Sequence, residues 1–373
     1  MFAINERYNT YYTRKSGVNS RLENVLIKLK RKNLDCLIVT EPANISYLTE
    51  FISRDAYLLI SKKQNICFTD ARYTAAAKSG LKNTGILLKK TSGPAFKIIA
   101  AACKNLKARR AGFEEDSLTF GQYKKISENL DNATTLVPTR GLIEDFRQIK
   151  DREELEKIRK ATRITIKALE FIRGRIAPGK KEIEIAAELE RFIRYNGANS
   201  SAFEIIVASG PNSSFPHHRT GQRKIKNNEL VLVDIGSDYL GYKSDLTRVF
   251  FLGKISVLAR RIFNIVSRAQ ESAVKVIRPG IWANKIDAAA RQYIAKKGYG
   301  GFFSHSLGHG IGLEVHERPR ISSRQNNPLK AGMVFTVEPA IYLPGKFGIR
   351  LEDMVLVTRK DCEVLSGALH KRC

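Results

Sequence analysis

The sequence predicts a two-domain α+β protein: a smaller α/β domain over residues 20–145, then a larger domain over residues 146–373 made of two similar halves, with residues 1–19 as an N-terminal extension. Three observations predict it. Residues 20–140 alternate short apolar runs with helical patterns, the mark of a small α/β unit. Arg175-Ile-Ala-Pro-Gly179 is echoed 101 residues later by Val276-Ile-Arg-Pro-Gly280. Five of the six histidines lie between His217 and His316, and none lies before residue 217.

The first domain opens with Ser20 as a helix cap before Leu22, Val25, Leu26 and Leu29, which share a helical face. Strand-like runs follow at Cys36–Val39, Tyr57–Ile60, Ile66–Phe68 and Ile86–Leu88, with helical stretches at Ala71–Lys78, Ala95–Leu106 and Phe120–Leu130. A charged stretch from Arg147 to Glu154 opens a long helix running to about Arg173, which Ala177-Pro178-Gly179 stops. In the repeat, Ile185, Ala187, Phe192 and Ile193 match Ile286, Ala288, Tyr293 and Ile294, and Gly197 matches Gly298. Every pair keeps the same 101-residue offset, so the two halves are expected to pack as pseudo-twins.

Composition narrows the function. Of 373 residues, 43% are hydrophobic and 27% charged, which excludes disordered, collagen-like and coiled-coil classes. No apolar run approaches the ~18 residues of a membrane span, and residues 1–20 lack the apolar core of a secretory signal. Cys36, Cys67, Cys103, Cys362 and Cys373 are odd in number, scattered and without a CxxC pair, as suits a reducing cytoplasm. The net charge of +27 divides as +12 over residues 1–150 and +15 over residues 151–373. A dedicated nucleic-acid arm would concentrate it, so a generally basic surface is the simpler reading, with an anionic partner kept as an alternative.

The chemistry gathers in the second domain. Leu230-Val-Leu-Val-Asp234 and Ser244-Asp245-Leu-Thr-Arg-Val-Phe-Phe251 are buried-strand patterns, each interrupted by a carboxylate. If they form an antiparallel hairpin, Asp234 and Asp245 sit opposite or nearly so, ~5 Å apart. Glu338 and Glu352 repeat the device around a Pro-Gly turn centred on Gly345. Four acids on apolar strands repel one another unless a cation separates them. Four acids and a histidine suit a dinuclear site for Mn²⁺, Co²⁺, Fe²⁺ or Zn²⁺. The histidine is expected in His305-Ser-Leu-Gly-His309-Gly-Ile-Gly-Leu-Glu-Val-His316-Glu317, where glycines at 308, 310 and 312 disfavour a helix. The stretch is neither HExxH nor a complete GxGxxG, and no Walker A sequence is present.

These residues resemble the Xaa-Pro aminopeptidase/prolidase family, whose catalytic domain has the pita-bread fold. The stretch from His305 to Glu317 fits the family signature, and the order Asp, Asp, His, Glu, Glu is the family's order. Asn44-Ile-Ser-Tyr-Leu48 and Phe68-Thr-Asp-Ala-Arg-Tyr73 are similar to its creatinase-like N-terminal domain. The resemblance implies Asp234, Asp245, His309, Glu338 and Glu352 as ligands of two divalent ions, Mn²⁺ first among them, with Asp245 and Glu352 bridging. It implies His217, in Phe215-Pro-His-His-Arg219, together with His305 and His316 on the substrate side, and Arg350 beside the last ligand.

The implied activity is a cytoplasmic, homodimeric Xaa-Pro aminopeptidase acting on proline-containing peptides, with hydroxide between the two ions attacking the carbonyl before proline. His316 would steady the oxyanion and Glu338 would shuttle the proton. His217 and His305 would shape the proline pocket, and Arg350 would pair with substrate carboxylate or support Glu352. A dipeptidase (prolidase) is the alternative. A methionine aminopeptidase would lack this N-terminal domain, a creatinase-like amidinohydrolase would lack the ligands, and a non-catalytic nucleic-acid-binding relative would have lost some of them. His218 reads as structural, and Trp282 as helix-entry packing.

Overall fold

The computed structural model describes residues 17–53 and 55–367. Most of the expected extension, His370 and Cys373 lie outside the described residues. The chain divides into two compact units at Arg147/Gln148.

In the first unit, α1 (Val18–Arg31), β1 (Cys36–Val39), α2 (Pro42–Thr49), β2 (Ala56–Ser61), β3 (Asn65–Thr69), α3 (Thr74–Gly80), β4 (Ile86–Lys90), α4 (Ala95–Asn105), β5 (Arg110–Glu114), α5 (Phe120–Ser127), β6 (Thr135–Thr139) and α6 (Glu144–Arg147) follow in order. The strands form one mixed sheet, β4-β3-β2-β1-β5-β6. Apolar residues on β1, β2, β3 and β5 pack against α4 and α5 through Ile38, Leu59, Phe68, Ile99, Phe113 and Ile126. Two local expectations change. Gly17, not Ser20, is the N-cap of α1, so Ser20 lies within the helix. The stretch from Ala71 starts later, at Thr74, because Asp70 accepts from the Arg72 N–H and side chain and holds a turn there.

The second unit begins with α7 (Arg152–Arg173), capped by Asp151 in a reciprocal box with Glu154. It ends at Arg173 with Gly174 as its C-cap, before the Pro-Gly stop. Then come α8 (Glu182–Tyr195), β7 (Ser200–Ser201), β8 (Ile206–Ser209), β9 (Leu230–Ile235), β10 (Ser237–Tyr239), β11 (Tyr242–Lys243) and β12 (Leu246–Phe251). The second half repeats the plan: α9 (Val257–Val276), α10 (Ala283–Lys296), β13 (Gly308–Gly310), β14 (Glu317–Ile321), β15 (Val334–Val337), β16 (Ala340–Leu343), β17 (Phe347–Arg350), β18 (Asp353–Val357) and β19 (Cys362–Val364).

The repeat is visible in backbone geometry. Gly179 and Gly280 sit at φ of +90° and +84°, Gly197 and Gly298 at +95° and +84°, each a turn that an L side chain would strain. Ile185 and Ile286, and Ile193 and Ile294, are all fully buried. The α7–α8 pair packs on one apolar cluster with Val207, Val233 and Ile235; α9–α10 packs on another with Phe335, Val337 and Ile349. Trp282 is the N-cap residue of α10 and is 47% exposed. Among the described residues Cys36, Cys67, Cys103 and Cys362 are free thiols, and no helix is long and apolar enough to cross a membrane.

Candidate metal centre

The two hairpins place four carboxylates at one site. In the second, Val337 faces Asp353 and Ala340 faces Arg350, so Glu338 and Glu352 stand directly opposite. In the first, Asp234 faces Thr247 and Ile235 faces Leu246. Asp234 and Asp245 are therefore diagonal neighbours, one step from opposite.

His309 comes from β13, between β14 and β15. The backbone reaches it only through glycine: a Cβ on Gly308 would lie 1.9 Å from the Thr336 carbonyl oxygen, and one on Gly310 2.2 Å from that of Arg318. Thr336 accepts from the His309 N–H at 3.1 Å and donates to Glu338 Oε1 at 3.3 Å, tying the histidine to a glutamate.

His309 Nε2 lies 3.7 Å from Asp245 Oδ2 and 3.4 Å from Glu338 Oε1. One ligand atom each of Asp245, His309 and Glu352 falls within a 4.8 Å group. Asp234, Asp245 and Glu352 are 8%, 5% and 2% exposed, and Asp234 Oδ1 and Asp245 Oδ1 are buried with no hydrogen-bond partner. Burial, reinforced by the neighbouring acids, raises the carboxyls of Asp245 and Glu338 well above their usual range and that of Glu352 to about 8. Burial lowers His309 to about 4, which leaves its ring neutral with a lone pair to give. Orphaned carboxylate oxygens, mutual repulsion and a neutral imidazole are what a pair of divalent cations would satisfy.

Arg350 offsets part of the negative charge. It donates to Asp234 Oδ2 at 2.6 Å, to the Tyr342 hydroxyl at 2.6 Å and to Thr247 Oγ1 at 3.1 Å, and Thr247 donates to Glu352 Oε2 at 2.7 Å. It touches an acid on each side of the site, Asp234 directly and Glu352 through Thr247. Arg248, itself buried, pairs with Asp353 at 2.5 Å and donates to the Glu352 carbonyl at 2.6 Å.

The acids and His309 line a cleft of about 600 Å³, with His217, His305, His316, Arg350, Phe203, Ile206, Val315 and Arg320 around it. Every site residue expected from the sequence is thus in one place. The His305 ring meets the Tyr342 hydroxyl at 3.2 Å and stacks edge-on to Phe303; burial lowers it to about 4. The His316 ring centroid is 4.2 Å from that of His309. His218 faces away, with Nε2 at 2.9 Å from the fully buried Glu182, which also accepts from the Ser209 N–H. That contact makes it a loop anchor. Thr247, Tyr342, Glu182 and Arg248 were not singled out in the sequence, because each acts on a partner far along the chain.

Fold and site together define a metallohydrolase whose pseudo-twofold pita-bread domain follows a creatinase-type N-terminal domain in the sequence. The chain belongs to metallopeptidase family M24, whose model matches residues 156–359; residues 21–149 match the creatinase/prolidase N-terminal domain. It is 34% identical to a Xaa-Pro dipeptidase of Pyrococcus furiosus, over 94% of this chain and 98% of the relative. Among solved structures, a Xaa-Pro dipeptidase from Bacillus anthracis is similar at 38% identity and TM-score 0.90, covering 94% of this chain and 98% of that one. An X-Pro aminopeptidase from Thermotoga maritima is similar at 35% identity and TM-score 0.84, covering 93% and 97%.

Proposed function

We propose that this protein is a two-metal peptidase that hydrolyses the bond before proline, with Xaa-Pro dipeptides as its preferred substrates. The observation that carries the reading is the cluster of four acids around His309, three of them buried and Glu338 partly so, with two carboxylate oxygens left unpartnered. Asp234, Asp245, His309, Glu338 and Glu352 would hold two divalent ions, Mn²⁺ first. The ions, when bound, supply an activated water and a Lewis acid for the carbonyl. Residues 20–145 form the N-terminal module of a cytoplasmic homodimer in this reading, and residues 146–373 its catalytic domain.

The chain's own groups do the rest. Glu338 takes the proton from the attacking water and passes it to the departing proline nitrogen. His316 donates to the oxygen that becomes negative as the tetrahedral centre forms. His217 and His305, with Phe203, Ile206 and Val315, wall the space for the proline ring. Arg350 holds Asp234 and, through Thr247, Glu352 in place.

Arg320 favours the dipeptide. It is exposed at the cleft, pairs across the sheet with His309, and its Nε is held by Ser306 Oγ at 3.1 Å. A cation there suits the carboxylate that a dipeptide, but not a longer peptide, carries right after proline. The similarity to an X-Pro aminopeptidase supports a second reading, an aminopeptidase that also accepts longer peptides. The test offers Ala-Pro and Ala-Pro-Ala to the Mn²⁺-loaded protein and to Arg320→Ala. The dipeptidase reading expects Ala-Pro to be the better substrate and its KM to rise about tenfold in the variant, as losing one charge-assisted contact would do. Equal or better cleavage of Ala-Pro-Ala, unchanged by Arg320→Ala, would give the aminopeptidase.

A further inference from the structure

Each acid-bearing hairpin loses its regular ladder at acids of the site, at Glu338 and Glu352 in one and beside Asp245 in the other. In the second, β15 pairs with β18 up to Val337↔Asp353, and pairing resumes with Ala340↔Arg350 in the same register. The interruption holds Glu338 and Pro339 on one strand and Leu351 and Glu352 on the other. The N–H groups of the two glutamates turn outward, Glu338 to the Leu307 carbonyl at 2.8 Å and Glu352 to that of Thr247 at 3.2 Å, while the Leu351 N–H reaches the Pro339 carbonyl across the strands at a long 3.4 Å. The backbone thus leaves the regular ladder where both glutamates must point inward.

The gap is filled by a side chain. Gln270 on α9 is 1% exposed, and its Nε2 donates to the carbonyls of Val337 at 2.9 Å and Leu351 at 3.0 Å. Val337 and Leu351 are the residues immediately before Glu338 and Glu352. One amide therefore spans both strands at the point that sets the spacing of the two acids. Its Oε1 is buried without a partner, so the side chain is held by its donors alone.

The other half has a counterpart. The ladder between β9 and β12 stops at Ile235↔Leu246, beside Gly236 and Asp245. Thr165 on α7, fully buried, meets Ser237 Oγ and Ser244 Oγ at 2.8 Å each. Ser244 precedes Asp245 and accepts from the Ser237 N–H at 3.0 Å. The 101-residue offset carries Thr165 to Val266, one turn before Gln270 on the equivalent helix.

We propose that Gln270 and Thr165 are positioning residues of the metal centre, each clamping one hairpin so that its two carboxylates stand at the separation a pair of divalent ions requires. The inference rests on the two-metal reading above. A buried polar network that fixes ligand orientation governs metal affinity as well as stability.

The test uses the full chain with Mn²⁺ as probe. Gln270→Met keeps the length and removes both donors; Thr165→Val keeps the shape and removes the hydroxyl. Affinity is read by competition with a chelator, and the pair of ions by the exchange-coupled Mn²⁺ EPR spectrum. Thermal unfolding of the metal-free proteins separates loss of fold from loss of site. We expect each variant to bind Mn²⁺ about tenfold or more weakly, with a changed coupled spectrum. Wild-type affinity and spectrum in a folded Gln270→Met, with only the unfolding midpoint lowered, would make Gln270 a structural residue and overturn the inference. If Gln270→Met does not fold, Thr165→Val decides it by the same readings. A wild-type protein that binds no Mn²⁺ would overturn the two-metal reading itself, an outcome distinct from equal binding by wild type and variant.

Discussion

Arg350 donates to Asp234 Oδ2 at 2.6 Å, and both side chains are buried in a site that holds three further acids. The pair leaves Asp234 Oδ1 unpartnered, so Arg350 occupies one side of this carboxylate and leaves the other for a cation. Without metal, Arg350 is the positive charge in contact with the acids. Removing one member of a buried pair costs about 3–5 kcal/mol. Arg350→Met should therefore lower the unfolding midpoint of the metal-free protein, and Mn²⁺ should restore more stability to the variant than to wild type. Thermal scans with and without Mn²⁺ check this; an equal metal-induced shift in both proteins would count against it.

Removal of metal should expose the acids' titration. Burial, then Asp234's charge, raises Glu352 to about 8, and burial with neighbouring acids raises Asp245 and Glu338 in the same direction. Between the unfolded carboxyl value of ~4.3 and about 8, folded Glu352 holds a proton that the unfolded chain has lost. Its contribution to stability is thus fully present below the unfolded value and is lost as pH rises through the folded one, at up to about 1.4 kcal/mol per pH unit. Metal-stripped protein should become less stable from pH 5 toward pH 8 (~5 to ~8). The Mn²⁺-loaded protein should not show that slope, because ions replace the protons. Denaturant titrations at several pH values, with and without chelator, measure it.

Asp245→Asn should abolish turnover while leaving the fold intact. Asp245 is buried at the centre of the ligand group, and the amide keeps its shape without its charge. Metal analysis should show fewer than two ions per chain, and activity should fall by at least about 10³, since metal activation of water is lost. Two bound ions with normal turnover would remove Asp245 from the ligand set.

His316→Ala should separate chemistry from metal binding. Its ring lies against that of His309 at the cleft but more exposed than the ligands. Loss of one oxyanion donor should cost about 10²-fold or more in kcat with metal content unchanged. Loss of metal together with activity would instead make His316 a support for His309.

The hairpins, their acids and the repeat were legible because each leaves a local signal: apolar alternation broken by a carboxylate, a Pro-Gly turn at Gly345, and one offset through Gly179/Gly280 and Gly197/Gly298. Register was less legible. The midpoint of Asp234 and Asp245 is one diagonal step off, because the chain turns at Leu240-Gly241, both at positive φ, and Asp238↔Lys243 keeps the register of Asp234↔Thr247. Strands β5 and β6 went unmarked, since Arg110 and Gly112 in one and Pro138 in the other hide the apolar pattern of parallel strands. The partners of the site, Gln270, Thr247, Tyr342 and Arg248, carry no signal at all. Each is defined by a contact between segments, such as Gln270 with Leu351, 81 residues away.

The most direct test of the account is release of free alanine from Ala-Pro by three samples: Mn²⁺-loaded protein, chelator-stripped protein, and Asp245→Asn supplied with Mn²⁺. The account predicts hydrolysis by the first alone, and its return when Mn²⁺ is added back to the second. Hydrolysis that survives both stripping and Asp245→Asn, or none in a wild-type protein carrying two ions, would contradict it.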